Sequence, residues 1–384
     1  MPEAMSDAVL VQPNTVQPDT KFIRGVMAAG GGDLKKCYQC ATCTSVCSLS
    51  DEHASFPRKQ MIKAQWGLRE QLVGDPAVWL CHDCGDCTTQ CPRDARPSRA
   101  MAAIRLQVIR SCAFPAFMGA WFAQSLPVRM LIVIPSALLA LAAMLPLRAS
   151  PRPPYEFAAL FPQARLEAMF FTISALVLIA YLVAMTRFVR ALRAAGASGR
   201  ILPALGPVLL EILLHRRFAK CDTKRGRNLG HMFVLLAFAG LALMGTMVGV
   251  GTMIGAMHTP LAMLNPLKLF ANLCSALAVV GIVMLIVNRL RPEARALSAS
   301  FDWSLLLTLG MIFATGLLSE ALRLLQVELA MYAVYFIHLT LVFALFLNAP
   351  YGKFAHFFYR TVAMAATWEK PPRLELAASL SEPE

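Results

Sequence analysis

Apolar residues crowd the later two thirds of the chain and are sparse before it. Residues 1–110 are polar and nearly charge-balanced, whereas residues 128–350 hold a series of long apolar runs. This contrast predicts a polar head on a membrane body. Six spans fit the runs, at 128–147, 167–188, 231–256, 267–288, 303–324 and 330–350. Each is near the roughly 20 residues that a crossing helix needs. The first carries Pro135 inside it, with Pro127 and Pro146 at its ends. In the head, residues 57–73 read as a helix. Pro57 suits a first helical position, and Met61, Ile62, Gln65, Leu68 and Leu72 form a helical stripe. Residues 99–124 predict a linking helix that reaches the membrane. The expected fold is all-α. Its divisions are a disordered N-terminus at 1–30, a head at 31–112, a membrane domain at 113–360 and a tail at 361–384.

The head carries the clearest chemistry. Cys37, Cys40, Cys43 and Cys47 form C-x2-C-x2-C-x3-C, and Cys81, Cys84, Cys87 and Cys91 repeat it, followed by Pro92. This is the bacterial ligand run for [4Fe–4S] clusters, in which the fourth Cys serves the other cluster. Cys37, Cys40, Cys43 and Cys91 are thus assigned to one cluster, and Cys81, Cys84, Cys87 and Cys47 to the second. Disulfides are disfavoured because the first 35 residues show no secretory h-region. Zinc would need fewer thiols than each block supplies. The helical stretch between the blocks points to an all-α dicluster domain rather than a small ββ ferredoxin. His82, inside the second block, reads as a loop residue or a modulator of the cluster. Cys112, Cys221 and Cys274 read as ordinary small residues.

Charge then sets orientation. The formal net charge is +13, with only 15% of residues charged. Lys and Arg concentrate in 187–227 and recur at Arg289, Arg291 and Arg295, while loops 257–266 and 325–329 have none. Loop 148–166 runs mildly against this bias with Arg148, Arg152 and Arg165. The majority places the head, the basic segment and the C-terminus in the cytoplasm. The excess charge then serves topology and anionic lipid. No nucleic-acid reading module is present, and no G-x-G-x-x-G follows a strand, so neither nucleic acid nor a nucleotide site is expected.

Histidines in spans are functional candidates. His231 opens the third span, His338 lies in the sixth, and His356 follows Pro350. His338 and His356 are 18 residues apart, which on one helix is five turns and about 27 Å. That spacing suits two stacked haems, although Pro350 and Gly352 interrupt the helix. His231 and His356 lie at similar depth and make one pair. His338 has no evident partner. His258 faces about 180° from His231 on an ideal helix, and Met244 or Met247 offers an alternative. Each His also reads as a hydrogen-bonded or proton-relay side chain. His215 suits a lipid or quinone contact. Glu320, Arg323 and Glu328 are candidates for quinone contact or proton entry, or else interfacial anchors. The Gly-rich stretch 245–255 permits close helix or macrocycle approach.

The head, through SFPRKQMIKAQWGLREQLVGDPAVWLCHDCGDCTTQCPRDARP, resembles the C subunits of heterodisulfide reductases. NLGHMFVLLAFAGL around His231 and HLTLVFALFLNAPYGKFAH from His338 to His356 resemble the cytochrome b subunits of nitrate and heterodisulfide reductases. The fusion of both looks like the membrane C subunits of quinone-interacting membrane-bound oxidoreductase complexes. The resemblance implies a six-helix cytochrome b bundle with a five-helix core. It also implies haem b on His231 and His356, and a second haem on His338. In the nitrate reductase pattern His338 has a second histidine, which here falls at Leu241. The implied activity is electron exchange between menaquinone, flavin and iron–sulfur partner subunits, and adenylylsulfate reductase. Heterodisulfide reductase-like or sulfite-reducing complexes are the neighbouring reading. A membrane-anchored iron–sulfur sensor without haem is the reading from another class.

Overall fold

The computed structural model describes residues 17–50, 55–122, 151–214, 225–291 and 300–368, with a few isolated positions between 134 and 142. The expected first span at 128–147 lies outside the described residues, apart from those isolated positions, as do His215 and Cys221. Secondary structure among the described residues is helical.

The head begins with α1 (Thr20–Val26), inside the stretch expected to be disordered. Asp19 caps it by accepting from the Phe22 amide at 2.8 Å, and Phe22 and Val26 are buried. Short helices follow at α2 (Thr42–Ser45), α3 (Arg58–Gln65), α4 (Arg69–Val73), α5 (Ala77–Leu80) and α6 (Asp86–Thr89). The single helix expected over 57–73 is therefore two. The break is Gly67, whose φ of +67° suits glycine. A Cβ there would sit 2.9 Å from both the N and O of Asp19. Gly67→Ala should combine a left-handed penalty of about 1–2 kcal/mol with displacement of the α1 cap. The expected result is a lower temperature for bleaching of cluster absorbance in the detergent-solubilised full chain.

The linking helix is also broken. α7 (Pro97–Cys112) has Pro at its first turn, and α8 (Ala116–Phe122) follows Pro115. Proline cannot donate to the helix ladder, and it disfavours helical backbone at Phe114 before it.

Among the described residues five helices are long and apolar enough to cross a membrane, so the chain is a multi-pass membrane protein. They are α9 (Gln163–Ala194), α11 (Arg225–Met253), α12 (Pro266–Leu290), α13 (Ser300–Leu324) and α14 (Glu328–Asn348). Asn265 caps α12 by accepting from the Leu267 amide. The basic segment holds one further helix, α10 (Ile201–Leu213), which is too short to span. α15 (His356–Ala366) closes the described chain and packs on α10 through Ala204, Val208, Met364 and Ala365.

At 32 residues α9 is about 48 Å long, beyond the roughly 30 Å hydrocarbon core. Its surplus enters the head. Ala184, Phe188 and Leu192 join the same core as Val78, Trp79, Met101 and Tyr359. The core thus runs straight across the expected boundary at 112/113. Trp79 stacks on Tyr359 at 4.8 Å and meets Phe188 edge-on at 6.2 Å. Gly74 lies so close to α9 that a Cβ would stand 2.5 Å from the Ala191 carbonyl. Arg187 donates to the Ala113 carbonyl at 2.6 Å.

Candidate functional site: two thiol cradles and a histidine pair

The two cysteine blocks fold into two cavities, and the cysteines sort between them by crossing over. One cavity is lined by Cys37, Cys40, Cys43 and Cys91. A second is lined by Cys47, Cys81, Cys84 and Cys87. The backbone repeats as the sequence does. The second residue after the first Cys is left-handed in both blocks, Gln39 at +61° and Asp83 at +54°. So is the residue after the second Cys, Ala41 at +70° and Gly85 at +93°. These turns aim successive sulfurs into one space, and their strain is of the kind kept at functional sites. Amides point at sulfur as well: Asp83 N reaches Cys81 Sγ at 3.4 Å, and Ala95 N reaches Cys91 Sγ at 3.3 Å. Among the described residues no three His, Cys, Asp or Glu side chains converge on a single ion. Four thiols around a larger space fit a polynuclear cluster.

Burial raises the Cys43 and Cys84 thiols to about 11, and raises Cys87 further. Metal ligation requires thiolates, so loading these cradles releases protons and is favoured by rising pH.

The second cradle is gripped from the membrane body. Arg227, near the start of α11, donates to the Asp83 carbonyl at 2.7 Å and the His82 carbonyl at 3.1 Å. Arg360, on α15, donates to the carbonyls of Trp79 at 3.1 Å and Cys81 at 3.0 Å. Its other nitrogen donates to His82 Nδ1 at 3.3 Å, so His82 carries its proton on Nε2. From α7, Arg105 donates to the Val78 carbonyl at 2.8 Å and the Cys81 carbonyl at 3.2 Å. Nothing in the sequence singles out these arginines. Arg227 counts there only toward orientation, although it lies four residues before His231.

Arg227 and His231 are one helical turn apart, as are His356 and Arg360. His231 and His356 come together, with ring centroids 6.3 Å apart and planes at 69°. A metal–nitrogen bond of about 2 Å on each side, plus the ring radius, puts two axial imidazoles about 6 Å apart. The pair therefore fits a bis-histidine iron. His356 Nδ1 donates to the Lys353 carbonyl at 2.6 Å, which leaves Nε2 as the nitrogen that could ligate a metal. Burial, with the charges of Lys353, Arg360 and Arg105, pushes His356 down to about 4, so the ring is neutral and ligand-ready.

Positive charge collects at this junction. Burial pushes Asp83 up, but Arg105, Lys353, Arg227 and Arg289 outweigh it and hold the carboxyl below its ordinary range. Burial and then Arg289 lower Lys353 to about 7. Such a setting suits the carboxylates of a haem.

His338 is placed elsewhere. The helix is interrupted between Asn348 and Lys353, so His338 and His356 do not share the continuous helix on which the 27 Å spacing rested. His338 Nδ1 donates to the Ile312 carbonyl and contacts Thr315 Oγ1, both at 3.1 Å, on α13. Gly316 leaves room for the ring, since a Cβ there would be 3.1 Å from it. The neighbouring ring is Tyr335, at 6.5 Å. Leu241 packs instead against an apolar cluster that includes Ala237, Ile312 and Phe313. α11 ends before His258, which is exposed in the following loop. Glu320 forms an ion triad with Lys268 at 3.1 Å and Arg323 at 2.8 Å.

The comparisons with known proteins follow this division. The 4Fe–4S dicluster domain family matches residues 33–95. Among the C subunits of heterodisulfide,ferredoxin reductases, that of Methanothermobacter thermautotrophicus is 39% identical over 20% of this chain and 42% of its own length. A heterodisulfide reductase C-like protein of Archaeoglobus profundus is 31% identical over 27% of this chain and 56% of its own. The chain thus spans about half the length of the curated relatives its head matches. Citrate utilization protein B of Escherichia coli is 29% identical over 86% of this chain and 89% of its own length. No solved structure matches. The chain therefore carries a heterodisulfide reductase C-like iron–sulfur head, a dicluster domain for two [4Fe–4S] centres, on a multi-pass membrane body.

Proposed function

We propose that this chain is the membrane electron-transfer subunit of a larger oxidoreductase. It passes electrons between a membrane quinone, menaquinone by resemblance, and soluble flavin and iron–sulfur partner subunits. The observation that carries this reading is the double clamp at the junction. The helices bearing His231 and His356 each send an arginine, one turn away, into the backbone of the second cradle. Haem b and two [4Fe–4S] clusters, when bound, supply one-electron storage without bond-making.

The residues take these parts. Cys37, Cys40, Cys43 and Cys91 hold one cluster, and Cys47, Cys81, Cys84 and Cys87 hold the other. His231 and His356 would together hold a haem. Arg227, Arg289 and Lys353 balance its carboxylates, and Arg360 fixes the cradle beside it. His338 already holds its proton on Nδ1, as a ligand would, and is the candidate for an outer haem. Glu320, Lys268 and Arg323 are candidates for quinone contact. By the distribution of basic residues the head faces the cytoplasm.

For the soluble partner, the similarity that runs through head and body alike favours an oxidoreductase serving citrate utilization. The adenylylsulfate reductase link rests on the resemblance of the head–body fusion. A reduced-minus-oxidised spectrum with haem quantification tests the conduit. Absence of a b-type α-band overturns it and favours an iron–sulfur sensor. Two haems per chain assign an iron to His338; one leaves it as a hydrogen-bonded wall between α13 and α14. Proteins that co-purify with the full chain distinguish the partners.

A further inference from the structure

The second cradle faces the membrane body, and the first is open at its rim. Cys40 is exposed, beside Tyr38, which is 69% exposed. Arg58 and Arg93 line the same cavity as the four thiols. Arg93 lies over the Tyr38 ring at 4.2 Å and donates to its hydroxyl at 3.0 Å, and Arg58 donates to Gln39 Oε1 at 3.4 Å. The flanking cations are Lys35, Lys36 and Arg96, and the carboxylates are Asp33 and Asp94. Both carboxylates are taken up in ion pairs, Asp33 with Lys36 at 2.7 Å and Arg96 at 3.5 Å, Asp94 with Arg96 at 3.0 Å. Lys35, Arg58 and Arg93 are left to set the sign of the rim. A large exposed aromatic flanked by arginines has the composition of a binding hot spot. A positive rim steers acidic proteins to it.

We propose that the Tyr38–Arg58–Arg93 rim over Cys40 is the docking face for an acidic soluble redox protein. This makes the first cradle the exchange point with soluble partners and leaves the second as the inner one. The proposal rests on the electron-transfer reading above and adds where the partner sits. A lipid surface is disfavoured as occupant, because the membrane body grips the other cradle.

The test uses the full chain in nanodiscs, with plant-type ferredoxin as a defined acidic one-electron probe and binding as the readout. Wild type should bind the probe with affinity that falls steeply with added salt. Arg58→Glu/Arg93→Glu should weaken binding at low salt at least about tenfold and flatten the salt dependence. Tyr38→Ala should weaken it while keeping that dependence. Arg190→Glu, on the exposed end of α9, should bind as wild type. Cluster spectra must be unchanged in every variant. Equal binding by the Arg58/Arg93 variant and wild type overturns the proposal, as does an equal loss in Arg190→Glu. Haem content of the same samples reports separately on the conduit: a chain without haem sinks that reading whatever the rim binds.

Discussion

On the proposed assignment, His356→Ala should lose the haem at the head–membrane junction and leave both iron–sulfur centres in place. The 6.3 Å spacing of the His231 and His356 rings depends on both side chains. Alanine removes the imidazole nitrogen that would hold the haem, and its methyl group offers no donor. His231 alone would hold the group much more weakly. The cradles have their own ligands and lose no cysteine. Arg360, one turn further along α15, keeps its bonds to the Trp79 and Cys81 carbonyls. Haem per chain, measured as the pyridine haemochromogen, should fall to near zero if the wild type holds one and by half if it holds two. The low-temperature EPR of the reduced clusters should be retained. His231→Ala should match it. Unchanged haem in either variant would refute the pairing.

The spans were legible because a crossing helix is written in length and apolarity alone. The runs expected at 167–188, 267–288 and 330–350 coincide with α9, α12 and α14, the last overrunning its helix by two residues. What hydropathy did not show is where those helices leave the membrane. α9 runs on beyond its apolar run because Phe188 and Leu192 have a core to enter, and that core belongs to the head. α10 was hidden in a stretch read for its charge. The ligand spacing groups the cysteines as the two cavities do, but it gives no sign of the left-handed turns at Gln39, Ala41 and Asp83, since none of these residues is glycine. Equal depth in the sequence matches the 6.3 Å approach of the His231 and His356 rings. The interruption expected at Pro350 and Gly352 falls between Asn348 and Lys353, so sequence spacing alone does not set the register of His338 against His356. The arginine clamps needed the tertiary structure. Arg360 and Cys81 are 279 residues apart in sequence, and no local pattern pairs them.

The junction also ties the head to the body through side chains packed between them. Thermodynamic coupling between head and body is reciprocal, and here it is built from buried aromatic contact and charge-assisted bonds. Trp79, Phe188 and Tyr359 come from the head, a span and the closing helix. Each pair contributes roughly 0.5–1.5 kcal/mol beyond area burial. Bonds from a charged donor contribute roughly 1.5–3 kcal/mol. Order in the second cradle and order around His231 and His356 are therefore linked through the same side chains. A fixed separation between redox centres is what an electron carrier requires.

Cys40→Ala/Cys91→Ala keeps one iron–sulfur centre, whereas Cys40→Ala/Cys47→Ala keeps none. The two variants remove the same number of thiols and differ only in whether the second comes from the same cradle. Cys40 and Cys91 line one cavity, so losing both damages one site. Cys47 follows Cys40 closely in sequence, yet it lines the other cavity with Cys81, Cys84 and Cys87. Removing Cys40 and Cys47 therefore takes a ligand from each site. Iron should fall from about eight per chain to about four in the first variant and towards zero in the second. Ligation block by block predicts the reverse order. Equal iron in the two variants would also defeat the crossed arrangement. The crossing has a structural consequence that the second variant should expose. Each cluster ties one cysteine block to the other, so losing both removes the cross-links that close the head. Wild-type cluster EPR should persist for one centre in Cys40→Ala/Cys91→Ala, and the haem at His231 and His356 should remain. In Cys40→Ala/Cys47→Ala the second cradle loosens beneath Arg227 and Arg360, and the haem α-band should weaken with it.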